Sequence, residues 1–177
     1  RDVIEAPQNG NRYLAVGYNR RFSPALRELR AFFTSRETSP LLISYRINAG
    51  PVSGDHWSMD PEVGGGRIIG ETCHFVDAIT YLMADQPPKD VFAAPLPVGG
   101  SVYDSIAATL RFNDGSVSQI LYAGTGDPVL PKERIEAFGG GMVAVIDDFK
   151  ELRIGFDGRW NTINKNRKQE KGYAEEI

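Results

Sequence analysis

The 177 residues are enough for one domain with a hydrophobic core, since 41% of them are hydrophobic and 24% are charged. The net charge of -3 argues against nucleic-acid binding, and no apolar run approaches the roughly 20 residues that cross a bilayer. A single cysteine excludes an internal disulfide and is typical of a reducing cytoplasm; with only two histidines beside it, no metal site is predicted.

The first part of the chain is predicted to form a strand, a helix and a second strand. Residues 12–18 are rich in β-forming side chains, and Ser23-Pro24 supplies a helix start. Leu26, Leu29 and Phe33 follow at helical spacing and predict a helix of about three turns. Ser39-Pro40 ends this helix, and residues 41–47 predict the second strand.

A long loop and a second helix are predicted next. Residues 48–66 are rich in Gly, Pro, Ser and Asp and show no period, whereas residues 66–83 have helical periodicity. The predicted core stripe of this helix consists of Ile69, Cys73, Val76, Ile79 and Met83. A neighbouring narrow arc contains Gly70, His74, Asp77 and Tyr81.

The second half of the chain predicts strands joined by tight turns. Strands are expected over residues 91–94, 105–112, 116–122, 134–138, 142–146, 152–156 and 160–163. Asn113-Asp114-Gly115, Gly139-Gly140-Gly141 and Asp157-Gly158 predict hairpins. The expected fold class is therefore α+β: a predominantly antiparallel open sheet with helices packed on one face and the other face available for oligomerisation. No strand-to-helix junction has the G-x-G-x-x-G pattern of a dinucleotide site.

His74 is the candidate general base or acid. A neutral imidazole, with an ordinary pKa of about 6.5, accepts a proton from a hydroxyl at neutral pH. Asp77, one turn later, is placed to orient the ring or bind substrate, and Gly70 leaves room for a ligand to approach the helix. A lone histidine on a partly apolar helix is more often a packed or hydrogen-bonded structural residue.

Four further side chains are candidate substrate contacts. Arg46 and Asn48 end the second predicted strand, and His56 and Trp57 lie in the long loop. An indole stacks well on a sugar ring, and an imidazole binds a hydroxyl or phosphate. An aromatic side chain anchored in a loop is as often involved only in packing.

Two motifs give the chain a family resemblance. Residues 16–24, Val-Gly-Tyr-Asn-Arg-Arg-Phe-Ser-Pro, precede residues 64–77, which start with Gly64-Gly65-Gly66 and include His74. In this order they resemble the C-terminal α/β domain of the glucose-fructose oxidoreductase, inositol dehydrogenase and rhizopine catabolism (Gfo/Idh/MocA) family. Residues 138–141, 147–149 and 171–176 resemble a branch whose module is sometimes fused to a zinc-type alcohol dehydrogenase module.

The resemblance implies that residues 1–177 are a substrate-binding and oligomerisation domain from a longer chain. An upstream Rossmann domain would hold most of the NAD or NADP, and the sheet face would form a homodimer or homotetramer. His74 takes the position of a catalytic or substrate-binding histidine, and Asp77 that of a residue close behind it. Asn19, Arg20 and Arg21 take positions that face the nicotinamide, so they are the candidate cofactor contacts.

The chain departs from the family pattern at Gly70. Many family dehydrogenases have an aspartate four residues before the histidine, and Glu71 cannot replace it because one residue turns the helix by about 100°. The family lysine, in a Glu-Lys-Pro motif, would precede Arg1. The expected activity is hydride transfer on a sugar, cyclitol or nucleotide-sugar, with these 177 residues inactive alone. The alternatives are a non-catalytic domain that binds sugar or nucleotide in regulation, and an oligomerisation module.

Overall fold

The computed structural model describes residues 14–97 and 103–176, which form an eight-stranded sheet with two helices. The helices are α1 (Pro24–Thr34) and α2 (Arg67–Leu82), and short 3-10 turns span Asn19–Phe22 and Trp57–Met59. The strands are β1 (Leu42–Asn48), β2 (Asp90–Pro95), β3 (Ile106–Arg111), β4 (Val117–Ala123), β5 (Glu133–Gly139), β6 (Met142–Asp147), β7 (Glu151–Phe156) and β8 (Arg159–Lys165). Their spatial order is β2-β3-β4-β1-β5-β6-β7-β8.

The sheet is antiparallel except where β1 pairs with β4. Tight turns join β3 to β4, β5 to β6 and β7 to β8, as the turn residues predict, and Gly140 and Gly141 have the positive φ angles that the second turn needs. The predicted α+β class is thus confirmed. Since β1 and β4 are parallel, both strands end at the same edge of the sheet, followed by Ala49 and Gly124.

The core lies between the helices and one face of the sheet. Alternate residues of β1, Ile43, Tyr45 and Ile47, are at most 1% exposed, as are Leu26 and Leu29 of α1. Period-two and period-3.6 patterns place these side chains on facing surfaces. Both helices therefore pack on the same side of the sheet.

The bounds predicted for α2 are confirmed, but its predicted core stripe is partly wrong. Ile69 is 72% exposed, and Cys73 and Val76 are only half-buried, whereas Ile79 and Met83 are buried as expected. The remaining residues of the buried face are Phe75, Ala78 and Leu82. Apolar residues surround much of this helix, so periodicity alone could not identify the face that packs on the sheet.

The strand predicted over residues 12–18 is also wrong where the structure describes it. Residues 12 and 13 lie outside the described residues, and residues 14–18 pair with no strand. Leu14 and Val16 are exposed, and the chain then enters the 3-10 turn. Both edges of β1 are already occupied by β4 and β5, so this segment cannot extend the sheet beside β1.

The sheet face opposite the helices is open and has one apolar row. Directly paired positions across five strands form this apolar row, which consists of Val117, Leu42, Phe138, Val143 and Gly155, with Trp160 next on β8. Leu42 is 57% and Phe138 41% exposed. The next row along the strands is mostly polar and includes Gln119, Ser44 and Glu136. An exposed apolar row with polar flanks is typical of a surface that contacts another protein.

Candidate functional site

His74 lies on the first half of α2, beside the segment that leads into the first 3-10 turn. Its ring is half-buried and meets the Tyr18 ring edge-to-face, with centroids 5.7 Å apart. Its Nδ1 is buried and has no hydrogen-bond partner among the described residues. Burial, followed by the positive charge of Arg20, lowers the pKa of His74 below its ordinary value, so the ring is neutral at pH 7.

Arg20 belongs to a group of buried polar side chains, here called the inner cluster: Arg20, Tyr45, Glu133 and Lys171. Arg20 donates from Nε and Nη2 to the two oxygens of Glu133, at 2.8 and 2.9 Å. Lys171 Nζ lies 2.7 Å from Glu133 Oε1, and the Tyr45 hydroxyl donates to Oε2 at 2.5 Å. Glu133 itself is fully buried. Every group of the inner cluster therefore has a partner inside the chain.

The two cations of the inner cluster determine the ionisation of Glu133. Burial alone would raise the pKa of this carboxyl, but the hydrogen bonds and charge of Arg20, followed by Lys171, outweigh it and lower the pKa to about 2. The guanidinium of Arg20 also stacks on Phe75, 4.7 Å from the ring centroid. The inner cluster thus attaches the 3-10 turn and the C-terminal segment to α2 and the sheet.

The three candidate cofactor contacts are engaged within the chain. Asn19 is 2% exposed, and its Nδ2 donates to the Lys171 carbonyl at 2.8 Å. Arg20 is held by Glu133 as described. Arg21 donates to both oxygens of Asp77, at 3.0 and 2.5 Å, and to Asp85 at 3.3 Å. Asp77 therefore secures the 3-10 turn to α2, a role that helical spacing alone did not indicate.

A second group of polar side chains, here called the strand-end cluster, lies where β1 and β4 end: Arg67, Glu71, Tyr122 and Lys132. Arg67 is 4% exposed; its Nε donates to Glu71 at 3.0 Å and its Nη1 to the Gly50 carbonyl at 2.6 Å. Lys132 Nζ reaches Glu71 Oε2 at 3.5 Å. Burial would raise the pKa of Glu71, but Lys132 and then Arg67 lower it, so the carboxyl is ionised at pH 7.

The candidate substrate contacts are spread over three places. Arg46 points to the open sheet face, where its Nη1 donates to the Pro131 carbonyl at 2.7 Å. Asn48 is buried beside the strand-end cluster, and its Nδ2 donates to the carbonyls of Asp127 and Leu130 at 2.7 and 2.9 Å. Arg46 and His74 are therefore on opposite faces of the sheet.

The other two candidates lie in the loop before α2. His56 caps the second 3-10 turn, since its Nδ1 accepts a hydrogen bond from Ser58 N at 3.3 Å, and Trp57 is 64% exposed. This turn packs against the triple glycine: a Cβ on Gly64 would lie 2.4 Å from Ser58 Cα, and Gly66 N donates to the Ser58 carbonyl. The triple glycine thus brings the loop close to the start of α2.

Gly70 faces open space, because a Cβ at that position would meet no atom within 4 Å. A groove of about 400 Å³ lies at the other end of α2, and its apolar lining includes Phe33, Leu41, Leu82, Met83 and Phe112. Across residues 14–97 and 103–176, no three His, Cys, Asp or Glu side chains are grouped closely enough to hold a metal ion. No helix in the same ranges is long and apolar enough to cross a membrane.

Sequence reasoning missed most members of the two clusters: Tyr45, Glu133, Lys171, Arg67, Tyr122 and Lys132. Glu133 precedes Ile135 and Ala137 at strand spacing, so it is an inward position on a strand with a buried face. A charge at such a position requires a buried partner, and that signal was present in the sequence. Nothing local identified the partners, since Arg20 is 113 positions away.

Comparison with known proteins assigns the chain to a family. Residues 39–141, more than half of the chain, match the family model described as the GFO/IDH/MocA C-terminal domain. No curated protein matches the chain.

Solved structures share the fold. An aldose-aldose oxidoreductase from Caulobacter crescentus, complexed with glycerol, has a TM-score of 0.78 at 19% identity, over 97% of this chain and 53% of its own. An inositol dehydrogenase homolog from Azotobacter vinelandii, complexed with NAD+, has a TM-score of 0.77 at 14% identity, over 92% of this chain and 46% of its own.

A UDP-N-acetylglucosamine 3-dehydrogenase from Acidithiobacillus ferrooxidans is also similar, with a TM-score of 0.70 at 20% identity, over 97% of this chain and 52% of its own. At these identities the likeness concerns the fold alone. The chain spans about half the length of these solved structures.

Proposed function

Because the chain belongs to the Gfo/Idh/MocA family, whose C-terminal domain it matches, we propose that it is the substrate domain of a longer nicotinamide-dependent oxidoreductase. The proposed substrate is a sugar, cyclitol or nucleotide-sugar, and the proposed cofactor is NAD or NADP. The proteins with a similar fold support this choice, since they include an aldose-aldose oxidoreductase, a UDP-N-acetylglucosamine 3-dehydrogenase and a homolog of inositol dehydrogenase complexed with NAD+.

The state of His74 is the observation that carries the proposal. The ring is half-buried and neutral, and Tyr18 packs against it. Because Nδ1 faces inward, we assign the other ring nitrogen, Nε2, to the substrate. In the oxidative direction Nε2 accepts the hydroxyl proton as the adjacent C–H bond breaks and a carbonyl forms. A bound oxidised nicotinamide supplies the acceptor for the hydride.

The side chains of Asn19, Arg20 and Arg21 support a positioning role. Asn19 and Arg20 are buried; Asn19 Nδ2 donates to the Lys171 carbonyl, and Arg20 Nε and Nη2 donate to Glu133. We propose that they hold the 3-10 turn and Tyr18 against His74. The cofactor would then be bound mainly by a dinucleotide-binding domain upstream.

The test is turnover by the full-length protein. Absorbance of reduced nicotinamide is followed with NAD+ or NADP+ and a panel of sugars, cyclitols and nucleotide-sugars. We expect His74→Ala to lower kcat by about a hundredfold or more. Its thermal unfolding should match that of the wild type, and the 177 residues alone should show no turnover. Full activity in His74→Ala would remove this residue from the mechanism.

A second candidate function is a regulatory domain that binds a sugar without turnover. Gly70 favours it, because the family aspartate is replaced by a residue with no functional group, facing open space. Ligand binding by the full-length protein without nicotinamide reduction would support this candidate. Since a side chain at position 70 has room, Gly70→Asp tests whether a carboxylate there creates or raises turnover.

We further propose that two copies associate through the open sheet face. The apolar row through Leu42 and Phe138 supports this, because it is exposed in the single chain and has polar residues beside it. Light scattering of the full-length protein should give a dimer or tetramer. Leu42→Glu combined with Phe138→Glu should shift it towards monomer, and an unchanged mass would reject this contact.

A further inference from the structure

The Glu71–Lys132 pair has binding capacity that the fold does not use. Lys132 and Glu71 are in contact at a long distance, 3.5 Å, and their side chains are 38% and 33% exposed. The third charge of the strand-end cluster is different, since Arg67 is buried and its guanidinium also donates to the Gly50 carbonyl. The pair therefore presents both a donor and an acceptor to solvent.

The loop that carries Lys132 is held in place by Asn48. The side chain of Asn48 donates to two carbonyls of the loop, those of Asp127 and Leu130, and its backbone N donates to the Lys132 carbonyl at 2.7 Å. Gly126 packs so closely that a Cβ there would lie 1.8 Å from Asn48 Oδ1. A buried clamp of this kind fixes the position from which the lysine approaches α2.

The hydroxyl of Tyr122 adds a third polar group at the same place. Tyr122 is 1% exposed, and its hydroxyl is buried without a normal hydrogen bond to any residue that the structure describes. Burial, followed by the charge of Glu71, raises the pKa of Tyr122, and a weak hydrogen bond to Glu71 adds to the effect, so the hydroxyl faces this carboxylate.

We propose that Lys132 and Glu71 bind a vicinal diol of the substrate one helical turn before His74. One hydroxyl of the diol accepts from Lys132 while the other donates to Glu71, and a monohydroxy compound or a 1,4-diol cannot engage both. Glu71 and His74 are three residues apart on α2, so their Cβ atoms are about 5–6 Å apart, a distance that one sugar ring can bridge. This inference rests on the proposed function.

A purely structural role of the Glu71–Lys132 pair predicts a different result. A Glu–Lys pair between α2 and a loop could serve only to attach the two, in which case its loss would affect stability and leave ligand binding unchanged. Such half-exposed pairs contribute little to stability. The two roles are separated by comparing thermal unfolding with ligand affinity in the same variants.

The experiment measures binding of two isomeric probes to the full-length protein by saturation-transfer difference NMR. The probes are trans-1,2-cyclohexanediol and trans-1,4-cyclohexanediol, which have the same atoms and differ only in the spacing of the hydroxyls. The variants are Lys132→Met and Glu71→Gln. The matched control is Lys165→Met, which breaks another exposed Lys–Glu pair at the far edge of the sheet, where Lys165 Nζ lies 3.8 Å from Glu151.

We expect the wild type and Lys165→Met to prefer the 1,2-diol. Lys132→Met and Glu71→Gln should each weaken binding of the 1,2-diol by about tenfold, towards that of the 1,4-diol, and Lys132→Met should do so with little change in thermal unfolding. Equal binding of the isomers by the wild type, absence of binding, or an unchanged preference in Lys132→Met would overturn the inference.

The outcome is separable from that of the proposed function. His74→Ala should lose turnover and keep the preference for the 1,2-diol. A wild-type protein that prefers the 1,2-diol through Lys132 but reduces no nicotinamide would support the diol site and count against the oxidoreductase reaction. If the protein turns over substrate and Lys132→Met changes neither KM nor diol binding, the oxidoreductase reaction is supported and the diol site is rejected.

Discussion

Two clusters of charged side chains lie along α2, and they differ in how fully their groups are satisfied. In the inner cluster, Glu133 receives hydrogen bonds from Arg20 and Tyr45 and an ion pair from Lys171, and it is inaccessible to solvent. In the strand-end cluster, Glu71 and Lys132 are about one-third exposed and meet at 3.5 Å. The first arrangement encloses its carboxylate completely, whereas the second leaves both a donor and an acceptor exposed.

The difference indicates which charges serve the fold and which serve binding. Desolvating a charge costs several kcal/mol unless partners replace the lost water, so the loss of one partner from the inner cluster strongly destabilises the fold. Exposed pairs carry no such requirement, and their geometry can be set by a ligand. His74 lies between these extremes, since it is half-buried with one unpaired nitrogen.

The largest effect should come from breaking the inner cluster. Glu133→Gln would leave Arg20 and Lys171 as uncompensated buried cations, so we expect the free energy of unfolding in urea to fall by about 3–5 kcal/mol. The matched change Lys132→Met in the strand-end cluster, where the lysine side chain is 38% exposed, should cost less than about 1 kcal/mol. Similar losses for the two variants would contradict the distinction between the clusters.

Unfolding at low pH should reveal the contribution of the Glu133 carboxylate to stability. The pKa of Glu133 falls from an ordinary value of 4.5 to about 2 on folding, so its contribution is fully present above the ordinary value and is lost as the pH falls through this window. We expect acid unfolding of the wild type to steepen there, by on the order of a few kcal/mol in total. In Glu133→Gln this component should be missing, and an identical pH profile would show that Glu133 does not titrate as described.

The loop clamp should have an intermediate effect. Asn48→Ala removes two hydrogen bonds and leaves the carbonyls of Asp127 and Leu130 without their partner, so we expect a loss of about 1–3 kcal/mol in urea unfolding. Asn161→Ala, on the exposed strand β8, is the control and should be neutral. If Asn48→Ala leaves both stability and diol affinity intact, the clamp does not position Lys132.

The smallest effect concerns the titration of His74. Its pKa is lowered by burial and by Arg20, so the imidazole should titrate below its ordinary value of 6.5 in an NMR pH series. The folded chain favours the neutral ring over the protonated one. The contribution of His74 to stability is therefore present above its ordinary pKa and is lost as the pH falls through its pKa in the folded chain. We expect less than about 1 kcal/mol, because the ring is partly exposed. A pKa at or above 6.5 would contradict the described surroundings.

The parts of the fold that depend on neighbouring residues could be predicted from the sequence. Asn113-Asp114-Gly115 and Asp157-Gly158 determine hairpins locally, and the bounds of α2 follow from the triple glycine and helical spacing. The parallel pairing of β1 with β4 could not be predicted, because β2 and β3 lie between them in the chain and no turn residue encodes that contact.

The candidate site was predictable only in part, for the same reason. His74 and Asp77 stand out through their spacing on one helix. The partner of Asp77 is Arg21, which is 56 positions away, and the partners of Glu133 come from both ends of the chain. Arg20 was predicted to face a cofactor on the basis of a family resemblance. A resemblance gives the position of a residue, but the hydrogen bonds of its side chain depend on the fold.

A structure of the full-length protein with oxidised nicotinamide and myo-inositol would test the role of His74 most directly. We expect a hydroxyl oxygen of the cyclitol at about 3 Å from His74 Nε2, with the adjacent C–H directed at the nicotinamide ring. A cyclitol bound elsewhere, with the His74 ring packed against the upstream domain and closed to ligands, would contradict the assignment of this residue to the proton transfer.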